Sequence, residues 1–148
     1  MSRRAFSPGD SHRARGTSAE DLGVDWLARN GYEIVERNVS SRYGELDLVA
    51  RHDDTLCFVE IKARATGSFG SPLEAVTPAK QRRITRCAEA YLQRSGWRGA
   101  CRFDVLGMCW GRSESGGRDT DPSAVRAVDA EEAEWRFELV RDAFPARR

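Results

Sequence analysis

Apolar positions along this chain alternate between two periods, and the changes of period mark the elements. Over residues 17–30, "TSAEDLGVDWLARN", Ala19, Leu22, Trp26 and Leu27 recur at helical spacing. Thr17 or Ser18 can cap this helix, acidic residues fill its first turn, and Asn30-Gly31 ends it. The period then drops to two. "YEIVERNV", "GELDLVA" and "TLCFVEIKA" read as successive strands, the last two joined by the polar segment "RHDD". A Gly/Ser-rich stretch, "RATGSFGSPLEAV", precedes the longest helical pattern, "TPAKQRRITRCAEAYLQRSG". There Thr77 is the cap, Pro78 suits the first helical position, and Gly96 is the stop. Gln81, Ile84, Ala88, Tyr91 and Leu92 give its inner stripe. "ACRFDVLGMCW" predicts a fourth strand, and "VRAV" and "WRFELV" predict a final short pair.

The hairpin makes the second and third strands antiparallel, and a crossover helix makes the fourth parallel to the third. The expected fold is therefore α/β, a mixed central β-sheet flanked by helices. A length of 148 residues suits one domain with a real core. The expected organisation is a flexible basic arm over residues 1–16 and a single domain over 17–148, with flexible loops at 64–76 and 111–123.

Charges inside the strands break this simple pattern. The third strand divides into Cys57, Val59, Ile61 on one side and Phe58, Glu60, Lys62 on the other. The second divides into Leu46, Leu48, Ala50 against Glu45, Asp47, Val49. A four-residue loop at 51–54 pairs Ala50 with Thr55 and turns both apolar sides to the core. Asp47 then shares a face with Glu60 and Lys62, one pairing step away. Adjacent carboxylates are hard oxygen ligands that suit Mg²⁺ or Mn²⁺. A lysine two residues beyond one of them can hold a water nucleophile or a developing phosphate charge. The same residues also fit a solvated sheet face with cross-strand ion pairs and no function.

Composition narrows the partners. The net charge is +1, so nucleic-acid binding has to come from a local patch. Arg82, Arg83 and Arg86 on the second helix, with Lys80 in its first turn, are candidates for a phosphate-tracking face. Each also fits a solvated helix surface. Phe69, in the Gly-rich loop, could stack on an unpaired base or anchor the loop. No apolar run approaches a membrane span, and no apolar segment follows the N-terminal arginines as a secretory signal requires. Cys57, Cys87, Cys101 and Cys109 lack C-x-x-C spacing and all fall in predicted elements. Buried reduced thiols and a cytoplasmic protein are expected, and zinc is not.

"GELDLV" followed by "FVEIKAR" resembles the D…E-x-K signature of the PD-(D/E)XK nuclease superfamily. From about Ala19 to Phe144 the chain resembles the YraN-like bacterial family. The resemblance rests on "AEDLGVDWLARNGYEIVERN", "GELDLVA", "FVEIKAR", "FGSPLEAVTPAKQRRI", "RFDVLG" and the terminal "DAF", in that order. It implies a restriction-endonuclease-like fold. It implies Asp47 and Glu60 as metal ligands, helped by the Ile61 carbonyl, and Lys62 as the catalytic lysine. Glu20 matches the first-helix acid of such nucleases, although Ala19-Glu20 stands where the family often has Gly-Glu. Glu20 equally fits a first-turn acid facing the helix dipole. The implied function is metal-dependent endonucleolytic hydrolysis of DNA, in preference to RNA, with branched DNA among the substrates. Symmetric junction cleavage would call for a homodimer. A nucleic-acid-binding module of the same fold without cleavage is the alternative, and a protein-interaction domain is a third reading.

Overall fold

Ser18 starts the first helix by accepting the Asp21 N–H at 3.2 Å. This computed structural model of the chain describes residues 18–65, 71–110, 124–127 and 135–147. The expected basic arm, Phe69 and the 111–123 loop lie outside the described residues. Helix α1 (Ala19–Arg29) is closed by the Asn30 side chain, which donates to the Trp26 carbonyl at 2.8 Å. Strands β1 (Glu33–Ser41), β2 (Gly44–His52) and β3 (Thr55–Ala65) follow. After a 3-10 turn at Pro72–Ala75 comes helix α2 (Pro78–Ser95). Thr77 caps it on the Lys80 N–H, and Gly96 ends it at a left-handed φ of 72°. Strands β4 (Cys101–Trp110), β5 (Ala124–Ala127) and β6 (Trp135–Phe144) complete the described fold.

The sheet has six strands in the order β1-β2-β3-β4-β6-β5. Only β3 and β4 run parallel, as the intervening α2 crossover demands. This is the mixed, helix-flanked α/β arrangement expected of an endonuclease-like fold. Helix α2 packs Ile84, Cys87, Ala88 and Tyr91 over Val49, Phe58, Phe103 and Val105. Helix α1 packs Val24, Trp26 and Leu27 over Leu48, Ala50, Cys57, Val59 and Leu106 on the opposite face, where Trp26 stacks on Phe137 at 5.2 Å. Both sides of β2 and β3 are thus covered, which accounts for Val49 and Phe58 on the side that also carries charge.

Four expectations change. The β2–β3 connection is a two-residue turn at Asp53-Asp54, not a four-residue loop, because Asp53 adopts a φ of 53° that aspartate tolerates. Ala50 therefore pairs with Cys57 instead of Thr55. The slip is an even number of residues, so by itself it moves no side chain to the other face. Second, Leu46 does not share a cluster with Leu48 and Ala50. It lies on the α2 side with Val39 and Phe58, while Leu48 lies on the α1 side. Strict alternation breaks at the residue between them, Asp47. Third, Arg64 and Ala65 belong to β3 and Pro72–Ala75 form a turn, so the loop expected over 64–76 is shorter. Cys101 is exposed, against the expectation of four buried thiols.

On β4, in the middle of the sheet, a buried polar knot fixes the strands. Asp104 is fully buried. It accepts from the Tyr32 hydroxyl at 2.8 Å, Arg102 Nε at 2.9 Å and the Asp142 N–H at 2.9 Å. Asp142 has a left-handed φ of 49°, where the β4–β6 register shifts between Phe103 and Val105. Burial and the Asp104 charge push the Tyr32 hydroxyl up to about 12, so it stays a donor. Removing Asp104 would strand Arg102 and the Asp142 amide. Asp104→Ala should lower unfolding stability by about 3–5 kcal/mol in urea melts. A loss below about 1 kcal/mol would show that the knot is not structural.

Candidate acid pair at the split between two strands

The paired residues of β2 and β3 run from His52–Thr55 to Leu48–Val59. Beyond that point the Ile61 N–H donates to Asp47 Oδ2 at 2.8 Å. A side chain has taken the place of a strand backbone as the acceptor, and this anchors the Asp47 carboxylate against β3. Because a strand residue presents its N–H and C=O to the same neighbour, the Ile61 carbonyl faces this side too.

Glu60 lies next to that anchor. It is buried, only 7% exposed, and hydrogen-bonds to Asp47. Burial first, then the Asp47 charge and that hydrogen bond, push its carboxyl from an ordinary 4.5 to about 8. The Lys62 ammonium lies 3.7 Å from Glu60 Oε1 and pulls the other way, as does Arg83. Burial and Asp47 win because Lys62 and Arg83 are more open to water, which screens them.

Helix α1 reaches the same place from the other face. A side chain at Gly23 would come within 2.9 Å of Met108 and 3.3 Å of Ile61, so glycine lets the helix settle close to β3. One turn earlier, Glu20 is raised by burial and then by the charge of Asp47. Arg37 on β1 holds Glu20 at 3.5 Å and Asp21 at 2.6 Å. Sequence reasoning missed Arg37. Its only signal was its register opposite Leu48, beside Asp47, which emerges only once β1 and β2 are paired.

The structure therefore gathers Asp47, Glu60, Lys62 and the Ile61 backbone, with Glu20 within electrostatic reach. Among the described residues, no three His, Cys, Asp or Glu side chains converge as a metal-holding group. The donor set still fits a hard cation. Mg²⁺ is commonly held by one or two carboxylates, with waters and substrate phosphate completing the shell. A cation between them would favour the ionised form of Glu60, which burial and Asp47 disfavour. Arg82, Arg83 and Arg86 are exposed on α2, and the Arg83 stem reaches the start of β2 at Gly44. Lys80 turns back instead, donating to the Ala75 carbonyl at 3.4 Å. Among the described residues no helix is long and apolar enough to cross a membrane.

The raised Glu60 carboxyl makes a signed prediction. Between pH 4.5 and about 8 it is protonated in the fold and ionised in the unfolded chain. Its contribution is complete below pH 4.5 and is lost as pH rises through about 8. Without divalent ions, the melting temperature of the parent should fall with pH across that window more steeply than that of Glu60→Gln, which keeps a donor for Asp47. Parallel profiles would refute the placement.

The profile of the Uncharacterised protein family UPF0102 matches residues 19–108, a span that contains Glu20, Asp47, Glu60 and Lys62. A UPF0102 protein of Chlorobium chlorochromatii (strain CaD3) is 50% identical over 103 residues, covering 70% of this chain and 80% of its own. One from Chromohalobacter salexigens is 47% identical over 102 residues, covering 69% and 82%. One from Myxococcus xanthus (strain DK1622) is 40% identical over 116 residues, covering 78% and 91%. The YraN-like resemblance is borne out, and the chain belongs to the uncharacterised protein family UPF0102.

Proposed function

We propose that this protein is a metal-dependent endonuclease acting on DNA, branched DNA included. The observation that carries the reading is the buried Glu60 carboxyl held against Asp47 at the split between β2 and β3. A solvated sheet face would not bury one acid against another. Asp47, Glu60 and the Ile61 carbonyl would hold Mg²⁺ or Mn²⁺. Such an ion supplies Lewis acidity toward a phosphodiester and acidifies a bound water. The chain's own part is positional. Asp47 is fixed by the Ile61 amide, so its carboxylate needs no rearrangement to meet a ligand. Lys62, 3.7 Å from Glu60, can orient the attacking water or donate to a non-bridging phosphate oxygen. Glu20, held by Arg37, adds negative charge from α1.

A second reading is a nucleic-acid-binding module of the same fold without cleavage. The pairing of Glu20 with Arg37 supports it, since that acid is not committed to the pair. One assay separates the two. Purified protein is incubated with linear, nicked, single-stranded and four-way DNA in Mg²⁺, Mn²⁺ or EDTA. The nuclease reading expects cuts in the divalent ions and none in EDTA. Binding with no cut in any condition contradicts it.

Two variants sharpen the reading. Asp47→Asn, which keeps an oxygen acceptor for the Ile61 amide, should abolish the Mn²⁺-induced rise in melting temperature while leaving the metal-free protein about as stable as the parent. An undiminished Mn²⁺ shift would place the ion elsewhere. Lys62→Arg should bind DNA in Ca²⁺ within a few-fold of the parent, with Mn²⁺-dependent cleavage lowered about 100-fold. The planar arginine fork pairs with a carboxylate and misplaces the nucleophile. Equal cleavage by parent and variant would remove Lys62 from the mechanism.

A further inference from the structure

The stem of Arg83 lies across the start of β2. A side chain at Gly44 would meet its Cδ at 3.1 Å and its Cγ and Nε at 3.5 Å. Gly44 also has a φ of 133°, a conformation open essentially to glycine. Gly44 is therefore both the turn into β2 and the seat of the arginine. Asp47 follows three residues later on the same strand. Arg83 is exposed, so its guanidinium is open to a ligand while its stem passes beside Gly44.

An acid pair repels the anionic backbone it has to cut. Lys62 is held 3.7 Å from Glu60, inside the site, so a second cation at its rim would help draw phosphate in. We infer that Arg83, seated on Gly44, is the phosphate clamp of this site, holding a DNA phosphate over Asp47 and Glu60. The inference rests on the nuclease reading and assigns Arg83 a role apart from the general basic face of α2. A guanidinium fork matches two phosphate oxygens at once, whereas an ammonium is a point charge. The contact is to the backbone, so it positions the strand without reading its sequence.

The probe is a fluorescein-labelled four-way DNA junction with the full chain. Binding is followed by anisotropy in Ca²⁺ over a salt series, and cleavage in Mn²⁺ at saturating protein, for variants whose melts confirm folding. Arg83→Ala should reduce the slope of log affinity against log salt by about 1. Its cleavage rate at saturation should fall about 100-fold. Arg83→Lys should restore the slope but leave the rate low. The control is Arg94→Ala, at the far end of α2 and 3.3 Å from Glu36, which should match the parent in both readouts. Slope and rate for Arg83→Ala equal to those of the control overturn the clamp. A parent that binds the junction but never cuts it overturns the nuclease reading instead. The slope alone then decides Arg83: reduced, it still holds a phosphate; unchanged, it does not. A parent that binds no DNA overturns both.

Discussion

The hydrogen bond from the Ile61 amide to the Asp47 carboxylate sets the geometry of the whole site. Two neighbouring strands ordinarily satisfy each other's backbone groups, and a buried amide without an acceptor is costly. Here the paired residues of β2 and β3 stop at Leu48–Val59, and a side chain supplies the next acceptor. The consequences follow in order. Asp47 is fixed beside β3, Leu46 turns to the α2 face while Leu48 keeps to the α1 face, and the carboxylate lies next to Glu60. Helix α1 can bring Glu20 to the same place because Gly23 admits close packing over Ile61.

The electrostatics are unfavourable by themselves, and that is their interest. Glu60 is surrounded by protein and borders a second acid, and the nearby cations do not outweigh these two effects. A purely structural strand would place an apolar residue there, as β3 does at Phe58 and Val59. Contrast the Asp104 knot on the neighbouring strand, where Asp104 pairs with Val59. There a fully buried carboxylate receives donors from Tyr32, Arg102 and Asp142, and strain has no need of a ligand. One buried acid is satisfied by the fold, while the other is held against a second acid.

The helices, the strand order up to β4 and the sharing of one place by Asp47, Glu60 and Lys62 were legible in the sequence. They follow from period, caps and the parity of side chains along a strand. The exact pairing was not legible, because the Asp53-Asp54 turn depends on a left-handed aspartate that residue type permits but does not dictate. The departure of Leu46 from its expected face was equally hidden, since one side chain replacing one backbone acceptor leaves no periodic trace. Arg37 and the Asp104 knot escaped for a different reason: their partners lie 17 and 16 residues or far more away in sequence, as with Arg37–Glu20 and Arg37–Asp21 against Tyr32–Asp104, and only the folded sheet brings them together.

The central claim is that Glu60 and Asp47 share a buried site poised for a cation. Carbon-13 NMR titration of the Glu60 carboxyl tests it most directly. In the metal-free protein the resonance should titrate well above the ordinary 4.5, near 8. In Asp47→Asn the midpoint should move down, because the neighbouring charge is gone, and in saturating Mg²⁺ the carboxyl should stay ionised through neutral pH. A midpoint near 4.5, unmoved by Asp47→Asn and by Mg²⁺, would mean that the two acids do not form a site.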